Sequence, residues 1–123
     1  MSSQSARTEK PYPIVDLVNM ILSEAIGLGV RRVTVMLLED RIQVSYDGSD
    51  RDAPPRRIFA SLFGCLWLYG CRAARLKLLG EFLCVSSDGG IGYEINIFTE
   101  QNRDLASELK TLTDHVGSTL EHL

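Results

Sequence analysis

The amino-acid sequence predicts a single α+β domain with the element order αββαββα. An apolar stripe at helical spacing opens the chain, two pairs of short alternating runs lie further along, and a long amphipathic segment closes it. Two hairpins of this kind pair into one antiparallel sheet, and helices cover its apolar face. We therefore expect a sheet of two hairpins covered by helices, with residues 13–123 forming the domain and residues 1–12 a flexible tail.

The first helix is predicted over residues 14–28. Its apolar residues recur at the i, i+3, i+4 and i+7 positions of one helix face, and Pro13 stands where proline favours a helix start. Gly27 and Gly29 supply an end signal. The side chains expected to pack on the sheet are Leu17, Val18, Ile21 and Leu22.

The first hairpin is predicted over residues 33–38 and 41–46, which are β-branched or alternating runs around a short Glu-Asp connection. Ile42, Val44 and Tyr46 are two residues apart, so they should share one face of the sheet. The polar residues 47–52 that follow are expected to form a turn and loop.

The second hairpin is predicted from residues 81–85 and 92–100, joined by the turn sequence Ser-Asp-Gly-Gly. Tyr93, Ile95 and Ile97 alternate with polar residues. This alternation is typical of a strand and favours a second hairpin.

A second helix is predicted to open at Pro54-Pro55 and to run to about Tyr69. It is apolar over more than half its circumference, whereas a sheet buries only one face of a helix. The remaining apolar surface should therefore meet a partner. The candidate partner-binding residues on this helix are Phe59, Phe63, Trp67 and Tyr69.

The last helix, predicted over residues 101–123, carries a narrow apolar seam on an otherwise acidic surface. Seams of this spacing suit a pair of antiparallel helices, so it is a second candidate partner surface. We expect a homodimer formed through this seam or through the second helix. The seam residues are Leu105, Leu109, Leu112 and Val116.

Composition excludes several function classes. The net charge of −3, with cations scattered among anions, lacks the positive field that duplex nucleic acid requires. No apolar run of about 20 residues and no signal-peptide core are present, which favours a cytoplasmic protein without membrane insertion. Cys65, Cys71 and Cys84 lie among apolar neighbours and are expected to be buried free thiols.

No set of residues has the spacing of catalytic or cofactor-binding machinery. The sequence lacks a phosphate-binding loop, and His115 and His122 have no third metal ligand near them in the sequence. We therefore predict no enzyme activity, metal or cofactor. Arg72 and Arg75 are candidates for contact with a phosphate or an acidic partner, although cations at a helix end are also favoured by its dipole.

One resemblance to a known family covers the start of the domain. Residues 13–26, Pro-Ile-Val-Asp-Leu-Val-Asn-Met-Ile-Leu-Ser-Glu-Ala-Ile, precede a Gly, two strands and Tyr46-Asp47-Gly48. This pattern resembles the opening of the N-terminal domain of type II secretion and type IV pilus assembly ATPases. The match is specific over residues 13–28, is looser as far as Gly48, and beyond that rests mainly on residues 81–99.

The resemblance implies a docking domain whose strand arginines reach the nucleotide of a neighbouring subunit. Arg41 is kept here and is a third candidate for phosphate or acidic-partner contact, but Ser45 replaces a family arginine. The family's Ser-Asp-Ile-His is also replaced, and its motor domain is absent from this sequence. The resemblance therefore favours a fold and a surface over a turnover reaction.

Three functions are consistent with the sequence. The first is an adaptor or regulator that docks on another protein, such as a secretion or pilus ATPase, or on itself. The second is a small ligand-sensing module with a pocket around Phe59, Phe63 and Trp67. The third is a dimer like a secretion chaperone, with an exposed apolar groove.

Overall fold

The structure, a computed structural model, describes residues 13–87 and 89–121, without the side chain of Glu121. The predicted tail at residues 1–12 lies outside the described residues, as does the predicted end of the last helix. Among the described helices, none has the length and apolar character that a membrane crossing requires.

The described residues form three α-helices, one short 3₁₀ helix and five strands, so the predicted α+β class is confirmed. In chain order the elements are α1 (Ile14–Gly27), β1 (Arg32–Leu37), β2 (Ile42–Tyr46), β3 (Ser49–Arg51), the 3₁₀ helix (Arg56–Ile58), α2 (Phe59–Leu76), β4 (Gly80–Ser87), β5 (Gly90–Ile97) and α3 (Leu105–Glu121).

The five strands form one antiparallel sheet in the order β3-β2-β1-β5-β4. The two predicted hairpins join where β1 pairs with β5, with Val35 opposite Tyr93. Because side chains alternate along each strand, Val33, Val35, Tyr93, Ile95 and Ile97 share one face of the sheet, which the helices cover. The predicted face formed by Ile42, Val44 and Tyr46 is buried against the helices.

Residues 47–52 differ from the predicted loop. Asp47 and Gly48 form a tight turn with φ of 50° and 90°, and β3 then pairs with β2. The Asp47 carboxylate accepts hydrogen bonds from the backbone N–H groups of Arg31 and Arg32, at 3.1 and 2.9 Å. The side chains of β3 are exposed, so polar residues here are compatible with an edge strand.

The first helix lies as predicted, with its apolar stripe in the core. Tyr46 connects it to β2, because the Tyr46 hydroxyl donates to Glu24 Oε1 at 2.8 Å and lies 3.1 Å from the carbonyl oxygen of Ile21. Burial raises the pKa of Tyr46, which keeps this hydroxyl protonated. The buried side chains of α1 are Leu17, Val18, Ile21, Leu22 and Ala25.

The second helix begins and ends later than predicted. Pro55 is extended and a 3₁₀ turn precedes Phe59, while the helix continues past Tyr69 to Leu76. Lys77 ends it in the left-handed conformation. Arg72 and Arg75 therefore lie within the last turns of α2 rather than after it.

The seam on α3 is core and not a partner surface. Leu109, Leu112 and Val116 are at most 3% exposed, and Leu105 is half-buried. The physical reason is that α3 packs on both α1 and α2 and covers the apolar cleft between them. The Tyr69 hydroxyl is 3.0 Å from Thr113 Oγ1, which binds Asn19, so polar contacts hold the three helices together.

An ion cluster fixes the connection between α2 and β4. Arg103 forms ion pairs with Glu108 and Glu100, and it donates to the carbonyl oxygen of Lys77 at 3.2 Å. Glu108 Oε1 also accepts from the backbone N–H of Leu79, at 2.6 Å. The start of α3 therefore holds the start of β4 in place.

Candidate functional site

The outward face of α2 is the candidate site. Residues 62, 66, 69 and 73 of this helix recur every three or four positions and are buried against the sheet and the other helices. Trp67 lies about 100° round the helix from Leu66. Trp67 is 56% exposed, although tryptophan is a residue type that folded chains usually bury extensively.

Beside Trp67, a shallow groove of about 560 Å³ runs between α2, the start of α1 and the end of α3. Gly64 has nothing within 4 Å of the position where a Cβ would stand, so the groove floor is open. We call this feature the outer groove. It is lined by Ile14, Ala60, Ser61, Gly64, Cys65, Trp67, Leu68, Thr119 and Leu120.

Cations flank the outer groove at both ends. Residues 56–77 contain five cations and no Asp or Glu. Within the part of the chain that the structure describes, none of these five forms an ion pair. Two of them precede the first turn of α2, where the helix dipole disfavours positive charge. The five are Arg56, Arg57, Arg72, Arg75 and Lys77.

The spacing along α2 aligns the groove with these cations. Ser61, Gly64, Leu68, Arg72 and Arg75 follow one another at steps of three or four, so they lie on one side of the helix. Arg72 Nη2 donates to Thr119 Oγ1 at 2.9 Å, which fixes this guanidinium at the groove wall. Arg57 and Arg75 are about 27 Å apart along the helix.

The remaining aromatic candidates have other roles. Phe59 and Phe63 are half-buried, with ring centroids 5.4 Å apart, and Phe63 lies 4.8 Å from the ring of Tyr93. These rings pack on one another under α2. Tyr69 is buried, so it cannot contribute to a partner surface of this fold. Burial also raises the pKa of Tyr69 to about 12.

Arg41 lies apart from the other predicted arginines. It sits in the turn between β1 and β2 and pairs with exposed Asp40 at 3.3 Å. Arg56 donates to the carbonyl oxygen of Leu38, so the start of α2 lies beside this turn. Arg72 is about 24 Å further along the helix than Arg56. The structure does not bring Arg41, Arg72 and Arg75 together as one phosphate site.

The cysteines divide into two classes. Cys65 is buried as predicted, and burial raises its pKa to about 12, so the thiolate is scarce at neutral pH. Cys71 and Cys84 are exposed, contrary to the prediction. Cys71 follows Trp67 by one helix turn on the outward face, and Cys84 lies on the edge strand β4.

Among the described residues no three His, Cys, Asp or Glu side chains could hold a metal ion.

No family profile matches the chain, and no curated protein matches it. The resemblance to secretion ATPases therefore stays a prediction. The residues that carry it most specifically form α1, whose apolar stripe is in the core. Core residues of this kind preserve a fold more than a partner surface.

Sequence reasoning missed most of the outer groove. Ile14, Gly64 and Leu120 are distant in sequence and meet only through the packing of the three helices. Arg57 was also missed. The signal that was available is the absence of Asp and Glu over residues 56–77 in a chain of net charge −3.

Proposed function

We propose that this chain is a non-catalytic protein-interaction domain, an adaptor or regulator, that binds an acidic amphipathic segment of a partner protein in the outer groove. One observation carries the proposal. Exposed Trp67 and an apolar groove lie between two groups of cations that have no ion pair among the described residues.

The residue types suit tight recognition. Tryptophan and arginine dominate the binding energy of many interfaces, where truncating an anchor costs about 2 kcal/mol or more. A partner helix with apolar residues at its centre would cover Trp67 and Leu68. Its acidic ends would meet exposed Arg57 on one side, and exposed Arg75 together with Arg72 at the groove wall on the other.

Charge also argues against a second copy of the chain in this groove. In an antiparallel pair of α2 helices, Arg56 and Arg57 of one copy approach Arg75 and Lys77 of the other. Like charges at both ends of such an interface oppose pairing. A partner that carries carboxylates would instead be attracted to these arginine and lysine side chains.

The chemistry of the groove supports binding over catalysis. Among the described residues that line the groove, none is a His, Asp, Glu or Lys that could act as a general acid or base. The one thiol in the lining is Cys65, whose raised pKa keeps it neutral. The resemblance of residues 13–28 names secretion and pilus ATPases as the first partners to test.

Affinity capture from the native cell tests the proposal. Wild type is compared with Trp67→Glu and Arg75→Glu, and Leu28→Glu is the matched control because Leu28 is 61% exposed at the end of α1. We expect wild type and the Leu28→Glu control to capture a partner protein that neither groove variant captures. Raising the salt concentration should release this partner. Support requires that an acidic segment of this partner, made as a peptide, shifts the Trp67 emission to the blue.

Capture of the same proteins by all variants would contradict the proposal, as would titration with that peptide without a change in Trp67 emission. A secretion ATPase among the captured proteins would support the resemblance, whereas an unrelated acidic partner would support the groove alone.

A second candidate is a dimer like a secretion chaperone, in which the exposed apolar outer groove beside Trp67 would hold a segment of a secreted protein. A chaperone keeps its bound segment unfolded, whereas an adaptor binds a folded partner. Limited proteolysis of the captured partner separates the two: rapid cleavage of the bound segment indicates the chaperone.

A further inference from the structure

The two edges of the sheet are protected very differently. The edge strand β3 has only three residues, and Asp50 and Arg51 are tied by contacts to Ser45 and Glu24. The other edge strand, β4, has eight residues, no Lys, Arg or Pro, and one charged side chain, Glu81. Short length and charge are the usual protections of an edge strand. In the described part of the chain β4 pairs only with β5, so no described strand covers its outer edge.

The ladder shows which backbone groups of β4 face the free edge. The Leu79 carbonyl oxygen accepts from Phe98 N–H on the β5 side, at 2.7 Å. In an antiparallel ladder, residues whose backbone N–H and C=O groups bond to the neighbouring strand alternate with residues whose groups point away from it. The N–H and C=O groups of Phe82, Cys84 and Ser86 therefore point away from β5. On the opposite strand, Ile97 N–H binds the Arg31 carbonyl oxygen of the neighbouring chain segment, which fits this alternation.

The side chains beside this edge are apolar on the sheet face that the helices leave open. Leu83 is 44% exposed, and Val85 lies next to Gly92, over which the Met36 side chain packs. A Cβ on Gly92 would stand 2.8 Å from Met36 Sδ. The edge of β4 therefore combines unpaired backbone groups with neighbouring apolar side chains.

We infer that β4 pairs in antiparallel fashion with β4 of a second copy, joining two five-stranded sheets into one continuous sheet. With Cys84 at the two-fold axis, Leu83 of each copy lies opposite Val85 of the other. Glu81 lies opposite Ser87, so the one charged residue of the strand does not meet its own copy. The outward groups of Phe82, Cys84 and Ser86 then form about six hydrogen bonds between the copies.

This self-complementarity argues for a second copy of the chain as the occupant. Apolar side chains meet apolar side chains across the axis, and cross-strand pairs of that kind stabilise a sheet. The inference goes beyond the proposed function because β4 contributes no residue to the outer groove. Either can fail while the other stands.

The test is sedimentation equilibrium from high to low micromolar concentration. Leu83→Lys places a charge on the edge, and Leu28→Lys is the matched control because both leucines are exposed. Ser86→Pro removes an N–H that points away from β5 and has no acceptor among the described residues, and proline is tolerated on edge strands. We expect dimers for wild type and Leu28→Lys, and loss of the dimer for both edge variants with an unchanged circular dichroism spectrum.

Cross-linking checks the register with native thiols. A short bismaleimide should join two copies of the Cys71→Ser protein through Cys84, and it should give no dimer with Cys84→Ser. A wild-type monomer at every concentration overturns the inference, as does a dimer that survives both edge variants. A dimer that cross-links through Cys71 and not through Cys84 also overturns it, because the contact would then lie on α2.

Discussion

The outward face of α2 and the seam of α3 are both predicted partner surfaces, but the structure buries only the seam. Leu109, Leu112 and Val116 of α3 are at most 3% exposed, whereas Trp67 of α2 is 56% exposed. Spacing identifies an apolar helix face, but it does not say what covers that face. Here α3 completes the core over α1 and α2, whereas the described residues leave the surface beside the outer groove uncovered.

Charge distinguishes the two faces better than hydrophobicity. On α3 the exposed charges have both signs and pair within the chain, as Lys110 does with Asp114 at 3.0 Å. The helix also has Glu108 in its first turn, where a negative charge is favourable. On α2 and its flanks the charges are all positive and have no ion pair among the described residues. This run of positive charge beside an apolar groove is the reason why we propose an acidic partner for α2.

The largest loss of stability is expected when a buried residue of the α3 seam is truncated. Leu112 is fully buried, so Leu112→Ala should lower the free energy of unfolding by about 2–5 kcal/mol through lost burial and a cavity. Denaturant unfolding measures this loss, and half-buried Leu105→Ala should lose less. A loss near zero for Leu112→Ala would mean that α3 does not cover the core.

The next effect concerns the ion cluster that holds α3 on the α2–β4 connection. Glu108→Ala leaves the Leu79 N–H and part of the Arg103 guanidinium without their acceptor, so we expect a loss of about 2–3 kcal/mol. Glu100→Ala is the control, because the Glu100 side chain is 74% exposed and exposed ion pairs contribute less than about 1 kcal/mol. Equal losses for the two variants would contradict the role given to Glu108.

The two faces of α2 should also differ in thiol reactivity. Cys71 should react quickly with a thiol reagent in the native protein, and Cys65 only after unfolding, because burial hinders access and raises its pKa to about 12. Cys71→Ser should remove the fast-reacting thiol of α2. Rapid labelling of Cys65 in the folded protein would show that α2 does not pack as described.

The smallest effect on stability is expected at the outer groove. Trp67→Glu and Arg75→Glu should change the free energy of unfolding by no more than about 0.5 kcal/mol, because both side chains are exposed and outside the core. Differential scanning calorimetry checks this value. A loss of several kcal/mol would place Trp67 in the core and remove it as a binding residue.

The sequence predicted the parts of the fold that depend on local periodicity. The stripe on α1 and the alternation of Ile42, Val44 and Tyr46 arise from geometry within one element, so the pattern is visible without the tertiary structure. The strand β3 was missed because an exposed edge strand needs no apolar residues. The end of α2 was placed too early because its last turns are rich in small and basic residues.

The candidate site was predicted less well, for reasons of tertiary packing. Trp67 was identified because it adds to an already apolar helix, but Tyr69, two residues later, points inward to Thr113. The α3 seam is buried because α1 and α2 pack with an apolar cleft between them, which α3 covers. The exposure of Cys84 depends on its position at the sheet edge. None of these is a property of one segment alone.

The most direct test of the central claim uses Trp67, the sole tryptophan of the chain, as the reporter. A helical peptide with apolar residues at its centre and glutamates at its ends is titrated into the protein, and the control peptide carries lysines in place of the glutamates. We predict a saturable blue shift with the acidic peptide only, weakened by salt and lost in the Arg57→Glu, Arg75→Glu double variant. No shift with the acidic peptide, or equal shifts with both peptides, would contradict the assignment of the outer groove as an acidic-partner site.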